Sequence, residues 1–317
     1  MFKGRHLAHV TEVRFPGPGG HIAVPPARAG KRVVRAGVPS GATDGRPAVA
    51  EGTAEGIRAP KPLKVVSESR LPDHWTLEGA DAGPGQAYFD GVRAERLRFR
   101  FASADPVDVR IRVIRRGDGS IVRDWVKHDL LPYSRHKVHW DGAKNGGHPA
   151  PEGKYKFRVG ELHGRNRGVG RFRLYGFEFP VRGSHSYGGS LQRFGADRTD
   201  GRTHQGQDVF AGCGTNEVAA RGGRVQARGS DPELYGNWLV IDGRGTSTDY
   251  RYAHLLHPSP MHDGERVRTG QSVGKVGRTG NARNVGCMMH LEMWPSGWGH
   301  NSPIDPLPYL KRWDGWS

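Results

Sequence analysis

Cysteine is nearly absent from this sequence: Cys213 and Cys287 are the only two among 317 residues. Two thiols cannot build the framework of a disulfide-stapled miniprotein, although they can form one bridge. No run of about 18 to 20 apolar residues is present to cross a bilayer as a helix. The start, Met1-Phe2-Lys3-Gly4-Arg5-His6-Leu7, leads into no apolar core of a signal peptide, so no export route is visible. Long stretches with a 3.6-residue apolar repeat are scarce, which argues against a helical bundle. Acidic residues are in deficit, 32 Asp and Glu against 48 Lys and Arg, for a net charge of +16. Such an excess attracts polyanions of any kind, whether nucleic acid, acidic membrane or anionic wall polymer, and selects none of them. No recognition helix and no strand that interleaves aromatics with cations accompanies the charge, so nucleic acid is not an expected partner.

What is abundant is glycine, with 48 residues, and proline, with 22. Turn formers at this density between short apolar stretches predict an all-β chain, and the length predicts about two domains. Residues 1–85 hold clusters such as Pro16-Gly17-Pro18-Gly19-Gly20 without a sustained period, and read as a disordered or loosely attached basic arm. Strict alternation then begins in Leu97-Arg98-Phe99-Arg100-Phe101 and Val107-Asp108-Val109-Arg110-Ile111-Arg112-Val113, and returns in Tyr155-Lys156-Phe157-Arg158-Val159. Alternation of this kind belongs to strands with one buried and one wet face, here in a small antiparallel sandwich over 86–165. The Gly/Arg segment His163–Gly168 reads as part of a boundary.

Trp140-Asp141-Gly142, Gly146-Gly147 and Pro151-Glu152-Gly153-Lys154-Tyr155-Lys156-Phe157 resemble the closing hairpin of the immunoglobulin-like domain of flagellar hook-capping proteins. That resemblance implies a structural module with Trp140 and Tyr155 in its core, and no chemistry.

Beyond it lie short strand candidates, among them Trp238–Ile241, Tyr250–His254 and Met288–Met293, and no amphipathic helix of any length. Three segments carry metal-ligating types. His204-Gln205-Gly206-Gln207-Asp208 sets an imidazole and a carboxylate four residues apart, a span of about 13 Å in a straight strand, but Gly206 permits a turn that folds the pair together. In Cys287-Met288-Met289-His290-Leu291-Glu292-Met293, a strand would place Cys287, Met289, Leu291 and Met293 on one apolar face. Met288, His290 and Glu292 would then share the other. In Tyr250-Arg251-Tyr252-Ala253-His254-Leu255 the same alternation puts Tyr250, Tyr252 and His254 on one face.

These segments, with Arg193-Phe194-Gly195, Gly264-Glu265-Arg266-Val267 and Gly277-Arg278-Thr279-Gly280-Asn281, resemble the lysostaphin-type (LytM-type) zinc endopeptidases that cut peptidoglycan peptides. The resemblance runs from Phe179-Pro180-Val181 to Pro306-Leu307-Pro308 and implies a β-sheet peptidase domain over 177–310. Carried onto this sequence, it makes His204, Asp208 and His290 the ligands of Zn2+, and His254 a catalytic histidine beside the open coordination position. One departure stands out. The family strand reads His-x-His, and Met288 occupies the place of the first, catalytic histidine. A thioether has no useful basicity near neutral pH, so one expected imidazole is lost. His257, His262 and His300 lie on neighbouring segments, but nothing in the sequence aims them at the site. A shared metal would also draw the segments of Cys213 and Cys287 together. A disulfide between them is therefore expected, and with it an oxidising, extracytoplasmic setting. Two functions stay open: a zinc endopeptidase acting on peptidoglycan peptides but impaired by Met288, and a non-catalytic zinc-containing module that binds or regulates the wall. In the first case the sandwich is expected to act as a spacer and the basic arm to hold anionic wall polymers.

Overall fold

Nearly every element of the protein is a β-strand. The computed structural model describes residues 2–3, 6–51, 56–63, 65 and 74–317, and these divide into two units, Met1–Asp73 and His74–Ser317. The first unit departs from the expected disordered arm. Its described residues form a three-stranded sheet (Phe2–Lys3, Val33–Arg35, Arg28–Gly30) and a four-stranded one (Gly20–Val24, Glu12–Gly17, Ala48–Ala50, Ile57–Arg58). Leu7, Val13, Phe15, Val34 and Val49 form its core. Each strand is so short that its alternation covers only two apolar residues, as in Val13 and Phe15, and the Gly/Pro clusters that hid the pattern are its turns. Gly17 pairs with Gly20 across one such turn, where Gly19 and Gly20 both have positive φ.

The second unit begins with a sandwich of two sheets. One runs His136–Trp140, Glu95–Ala102, Thr76–Gly83; the other runs Ile121–Leu130, Val107–Arg115, Gly153–Glu161, Asn166–Tyr175, Gln86–Tyr88. Leu97, Phe99 and Phe101 point inward toward Val109, Ile111, Val113 and Phe157, the residues the alternation assigned to the core. Trp140 and Tyr155 are fully buried with ring centroids 5.1 Å apart. The sandwich extends beyond 86–165 at both ends. Thr76–Gly83 pairs with Glu95–Ala102, and His163–Gly168 lies at a hairpin rather than a boundary, because Asn166–Tyr175 pairs back on Gly153–Glu161. That strand was hidden by a register shift, with buried residues at Val169, Phe172 and Leu174 instead of every second position.

The remainder is a seven-stranded sheet in the order His185–Ser186, Gln207–Ala211, Met288–Pro295, Thr248–Leu255, Gly236–Gly243, Gly223–Asp231, Arg266–Val267. A small sheet of Val181–Arg182, Asn216–Val218 and Ser272–Lys275 accompanies it. Cys287, Met289, Leu291 and Met293 lie in the core with Tyr250, Tyr252 and Leu255. A helix that the sequence reading missed, Leu307–Asp314, buries Leu310 and Trp313, the latter stacked on Phe177 at 4.9 Å. Two turns with Pro308 in the first give too little periodicity to read.

The sandwich and the seven-stranded sheet are joined by more than a linker. Buried Asp90 of the sandwich forms ion pairs with Arg266 (2.5 Å) and Arg244 (3.1 Å), and Thr269 Oγ1 donates to the Phe89 carbonyl at 2.7 Å. The guanidinium of Arg221 lies 4.2 Å over Phe89 and donates to the carbonyls of Gly176 and Arg244. Burial lowers Arg221 to about 10. At the far edge Trp316 stacks on Tyr175 at 4.7 Å.

Cys213 and Cys287 form a disulfide across 74 residues of sequence. Constraint of the unfolded chain by a loop of this length contributes at most about 4 kcal/mol. The Cys213→Ser/Cys287→Ser protein should therefore unfold at lower denaturant than wild type, and reduced wild type should match it. Identical midpoints for oxidised and reduced protein would show that the bridge adds no stability.

Candidate metal centre and its cavity

Asp208 and His290 sit directly opposite each other on the antiparallel strands Gln207–Ala211 and Met288–Pro295. Opposed residues share a face about 5 Å apart, and here Asp208 Oδ1 comes to 2.8 Å from His290 Nδ1. His204, from the loop before the first strand, closes a triangle. Its Nε2 lies 2.9 Å from His290 Nδ1 and 3.2 Å from Asp208 Oδ1. All three residues are buried. Tetrahedral zinc with bonds of about 2.0–2.1 Å separates its ligands by about 3.3 Å, so only small adjustments separate this triangle from a coordination face.

The outer hydrogen bonds decide where the lone pairs point. His204 Nδ1 lies 2.9 Å from the Arg193 carbonyl, which can only accept, so Nδ1 carries the hydrogen and Nε2 a lone pair. His290 Nε2 lies 3.1 Å from Glu292 Oε1 and donates to it, which leaves a lone pair on Nδ1. Two imidazole lone pairs and a carboxylate oxygen thus converge with no hydrogen between them, and only a positive species can relieve their repulsion. A proton is one solution. Burial disfavours charge on His290, but Asp208 and Glu292 outweigh it and push His290 up to about 9. Burial likewise opposes the Asp208 carboxylate, yet both histidines hold it well below the usual range. A divalent cation is the other solution, and neutral imidazoles with a carboxylate are a zinc donor set. This is the one such cluster of His, Cys or acidic donors among the described residues.

Space around the triangle is tight. A Cβ on Gly206 would stand 2.4 Å from the Leu291 carbonyl and 2.7 Å from the His290 ring. Gly206 lies in a bend and its φ is not positive, so what the glycine supplies is room for His290.

His254 reaches the cavity by a route that alternation did not foresee. Tyr250 and Tyr252 face the core, so the expectation that His254 shares their face is wrong. His254 has φ +63°, and the pairing shifts by one residue between Asn237↔Leu255 and Leu239↔Tyr252. This bulge turns His254 to the side of Arg251 and returns Leu255 to the core. A left-handed non-glycine residue is a strained conformation of the kind found at functional sites. His254 Nδ1 lies 2.8 Å from the Thr279 carbonyl and donates to it, which frees Nε2. Burial, then the nearby His290, lower His254 to about 4, so it is neutral at pH 7. The ring centroids of the two histidines are 5.8 Å apart.

His204, Asp208, His254, Met288 and His290 line a cavity of about 560 Å³. Met288 lies on the face of His290 and Glu292, outside the apolar cluster that holds its neighbours Cys287 and Met289. His257, His262 and His300 are exposed and do not line the cavity. The sequence reading assigned no role to Glu292, although its place two residues from His290 on one strand face was the signal for it. It is fully buried between His290, the Trp294 Nε1 donor at 2.7 Å and Arg251 at 3.7 Å. The Arg193 and Thr279 segments contribute carbonyls that orient His204 and His254, a role that side-chain chemistry does not reveal.

Glu292→Gln would turn an amide N–H toward the donor of Trp294 or of His290. Zinc affinity of this variant, measured by competition with a chromogenic chelator, should fall by about 10- to 100-fold, the usual cost of losing an orienting partner. Unchanged affinity in a folded variant would remove Glu292 from the account.

Residues 202–306 match Peptidase family M23. Among curated proteins, the Lipoprotein NlpD/LppB homolog of Pseudomonas aeruginosa is 31% identical over 136 residues, 42% of each chain. The Peptidoglycan DD-endopeptidase ShyC of Vibrio cholerae is 32% identical over 114 residues, 36% of this chain and 25% of the relative. The chain thus spans less than half the length of either. Among solved structures, the catalytic domain of the antimicrobial peptidase lysostaphin from Staphylococcus simulans is similar at 25% identity and a TM-score of 0.34, over 40% of this chain and 92% of that one. The segment from 202 to 306, which carries the triangle of His204, Asp208 and His290 and most residues of the cavity beside it, is a domain of peptidase family M23.

Proposed function

We propose that this chain is a zinc-dependent endopeptidase that hydrolyses peptide bonds of bacterial peptidoglycan, with a rate limited by Met288. The observation that carries the reading is the convergence of three lone pairs, from His204, Asp208 and His290, on one point at the wall of an open cavity that also presents a neutral histidine. The family match and the relative that acts on peptidoglycan support the substrate class. When bound, zinc supplies Lewis acidity toward a carbonyl and lowers the pKa of water. The protein groups do the rest. Neutral His254, fixed through Nδ1 on the Thr279 carbonyl, offers Nε2 to take up a proton or to hold the developing oxyanion. Glu292 keeps the His290 ring oriented and its Nδ1 unprotonated. Met288 holds a place from which an imidazole would assist, and contributes no proton transfer. We read the sandwich as an immunoglobulin-like module that carries the peptidase, and the net charge of +16 as suited to retention on anionic wall polymers. The disulfide favours an extracytoplasmic site of action.

The alternative, a zinc-containing wall-binding module without turnover, draws on Met288 alone. Digestion of purified peptidoglycan separates the two readings. Wild type should release new amino termini slowly, a chelator should abolish the release, and Met288→His should accelerate it roughly 10²-fold at matched zinc content. If neither protein releases termini while both sediment with the wall, the chain is a binder.

A further inference from the structure

Part of the cavity wall is a tight hairpin that holds His204 through its backbone (His204 N–H to Ala196 carbonyl, 2.8 Å) and whose arginine side chains the metal centre does not use. Asp197 and Thr203 bridge across it, and the backbones of Arg198 and Arg202 are hydrogen-bonded (Arg198 N–H to Arg202 carbonyl, 2.9 Å). The hairpin turns both arginines onto the cavity that His204, Asp208 and His290 also line. Arg198 Nη1 donates to the Leu191 carbonyl at 2.8 Å, which fixes the guanidinium without neutralising it. Arg202 pairs with Asp200, but both side chains are about half exposed (50% and 48%), and an ion pair so wet is readily shared with or yielded to another anion. The carboxylates that line the cavity are Asp208 and Glu292, both already engaged by His290. A substrate entering this space therefore meets one cation, Arg198, that no carboxylate matches, and a second, Arg202, whose own partner Asp200 is half exposed. An uncharged peptide would leave them unmatched, whereas a carboxylate fits the planar fork of an arginine.

Resting on the peptidase reading above, we infer that Arg198, assisted by Arg202, selects peptides with a free carboxylate beside the scissile bond. The site thus discriminates against peptides that carry no charge at that position. Arg198 is a specificity residue here. It lies outside the ligand triangle and holds the substrate rather than the reacting atoms.

The test uses two short wall-type peptides that differ only in amidation of the carboxylate next to the bond to be cut. Binding to zinc-loaded protein is read by fluorescence anisotropy before turnover, and cleavage is read as kcat/KM. The carboxylate peptide should bind about tenfold tighter than its amide, the usual scale of one charge-assisted contact, and be cut in the same ratio. Arg198→Gln should bring both ratios close to one. Arg198→Lys, which keeps the charge and loses the fork, should fall between. Equal binding of the two peptides by wild type, or a preference that survives Arg198→Gln, would overturn the inference. If neither peptide is cut while the Arg198-dependent binding preference persists, the peptidase reading fails and carboxylate recognition stands.

Discussion

Three lone pairs forced onto one point are the constraint around which this domain is organised. Each ligand atom is aimed inward by a partner that can only accept a hydrogen or that holds charge: the Arg193 carbonyl behind His204, Glu292 behind His290, and the strand register that fixes Asp208 opposite His290. Without a cation, such an arrangement can be held only by adding a proton, and the upward shift of His290 reflects that demand. A zinc ion would meet it with all three groups deprotonated. Metal binding and fold would thereby be coupled, because removal of the ion would leave in repulsion the lone pairs that these hydrogen bonds aim at one point.

The rest of the domain keeps that triangle rigid and accessible on one side. The strand Met288–Pro295 lies between Gln207–Ala211 and Thr248–Leu255 and presents Met288, His290 and Glu292 to the cavity, while Met289, Leu291 and Met293 anchor its other face in the core. The disulfide ties the chain just before that strand to the segment that follows Asp208. Across the sheet, Asp90 and Arg221 fasten the sandwich to the peptidase through ion pairs, carbonyl hydrogen bonds and stacking on Phe89. Buried charges engaged in this way, Asp90 and Arg221, hold orientation, because removal of a single partner strands a charge away from water.

Much of this was legible in the sequence, and where it was not the reasons are physical. Strict alternation in Leu97–Phe101 and Val107–Val113 identified sandwich strands, since each buries one face over several pairs. Asn166–Tyr175 was lost because a register shift breaks its period, and the strands of the first unit because each is too short to have one. The two-faced strand around Met288 could be read directly, as side-chain period 2 needs no tertiary information, whereas His204, Asp208 and His290 were singled out together only through the family resemblance. His254 shows the limit of that rule. Alternation placed it with Tyr250 and Tyr252, and a bulge with positive φ moved it to the other face. The carbonyls that orient His204 and His254 belong to the backbone and so leave no trace in residue type, and the arginines of the Asp197–Thr203 hairpin stood out from the chain's other cations only once the cavity was seen.

Zinc-edge X-ray absorption on the stoichiometrically loaded protein tests the central claim most directly, because it reports ligand elements without reliance on activity. Convergence of two imidazoles and a carboxylate predicts one ion per chain, with a coordination shell of nitrogen and oxygen at about 2.0–2.2 Å and an imidazole scattering signature. A sulfur contribution at about 2.3 Å, which would bring Met288 or a reduced cysteine into the shell, or failure of the protein to retain one equivalent of zinc, would contradict it.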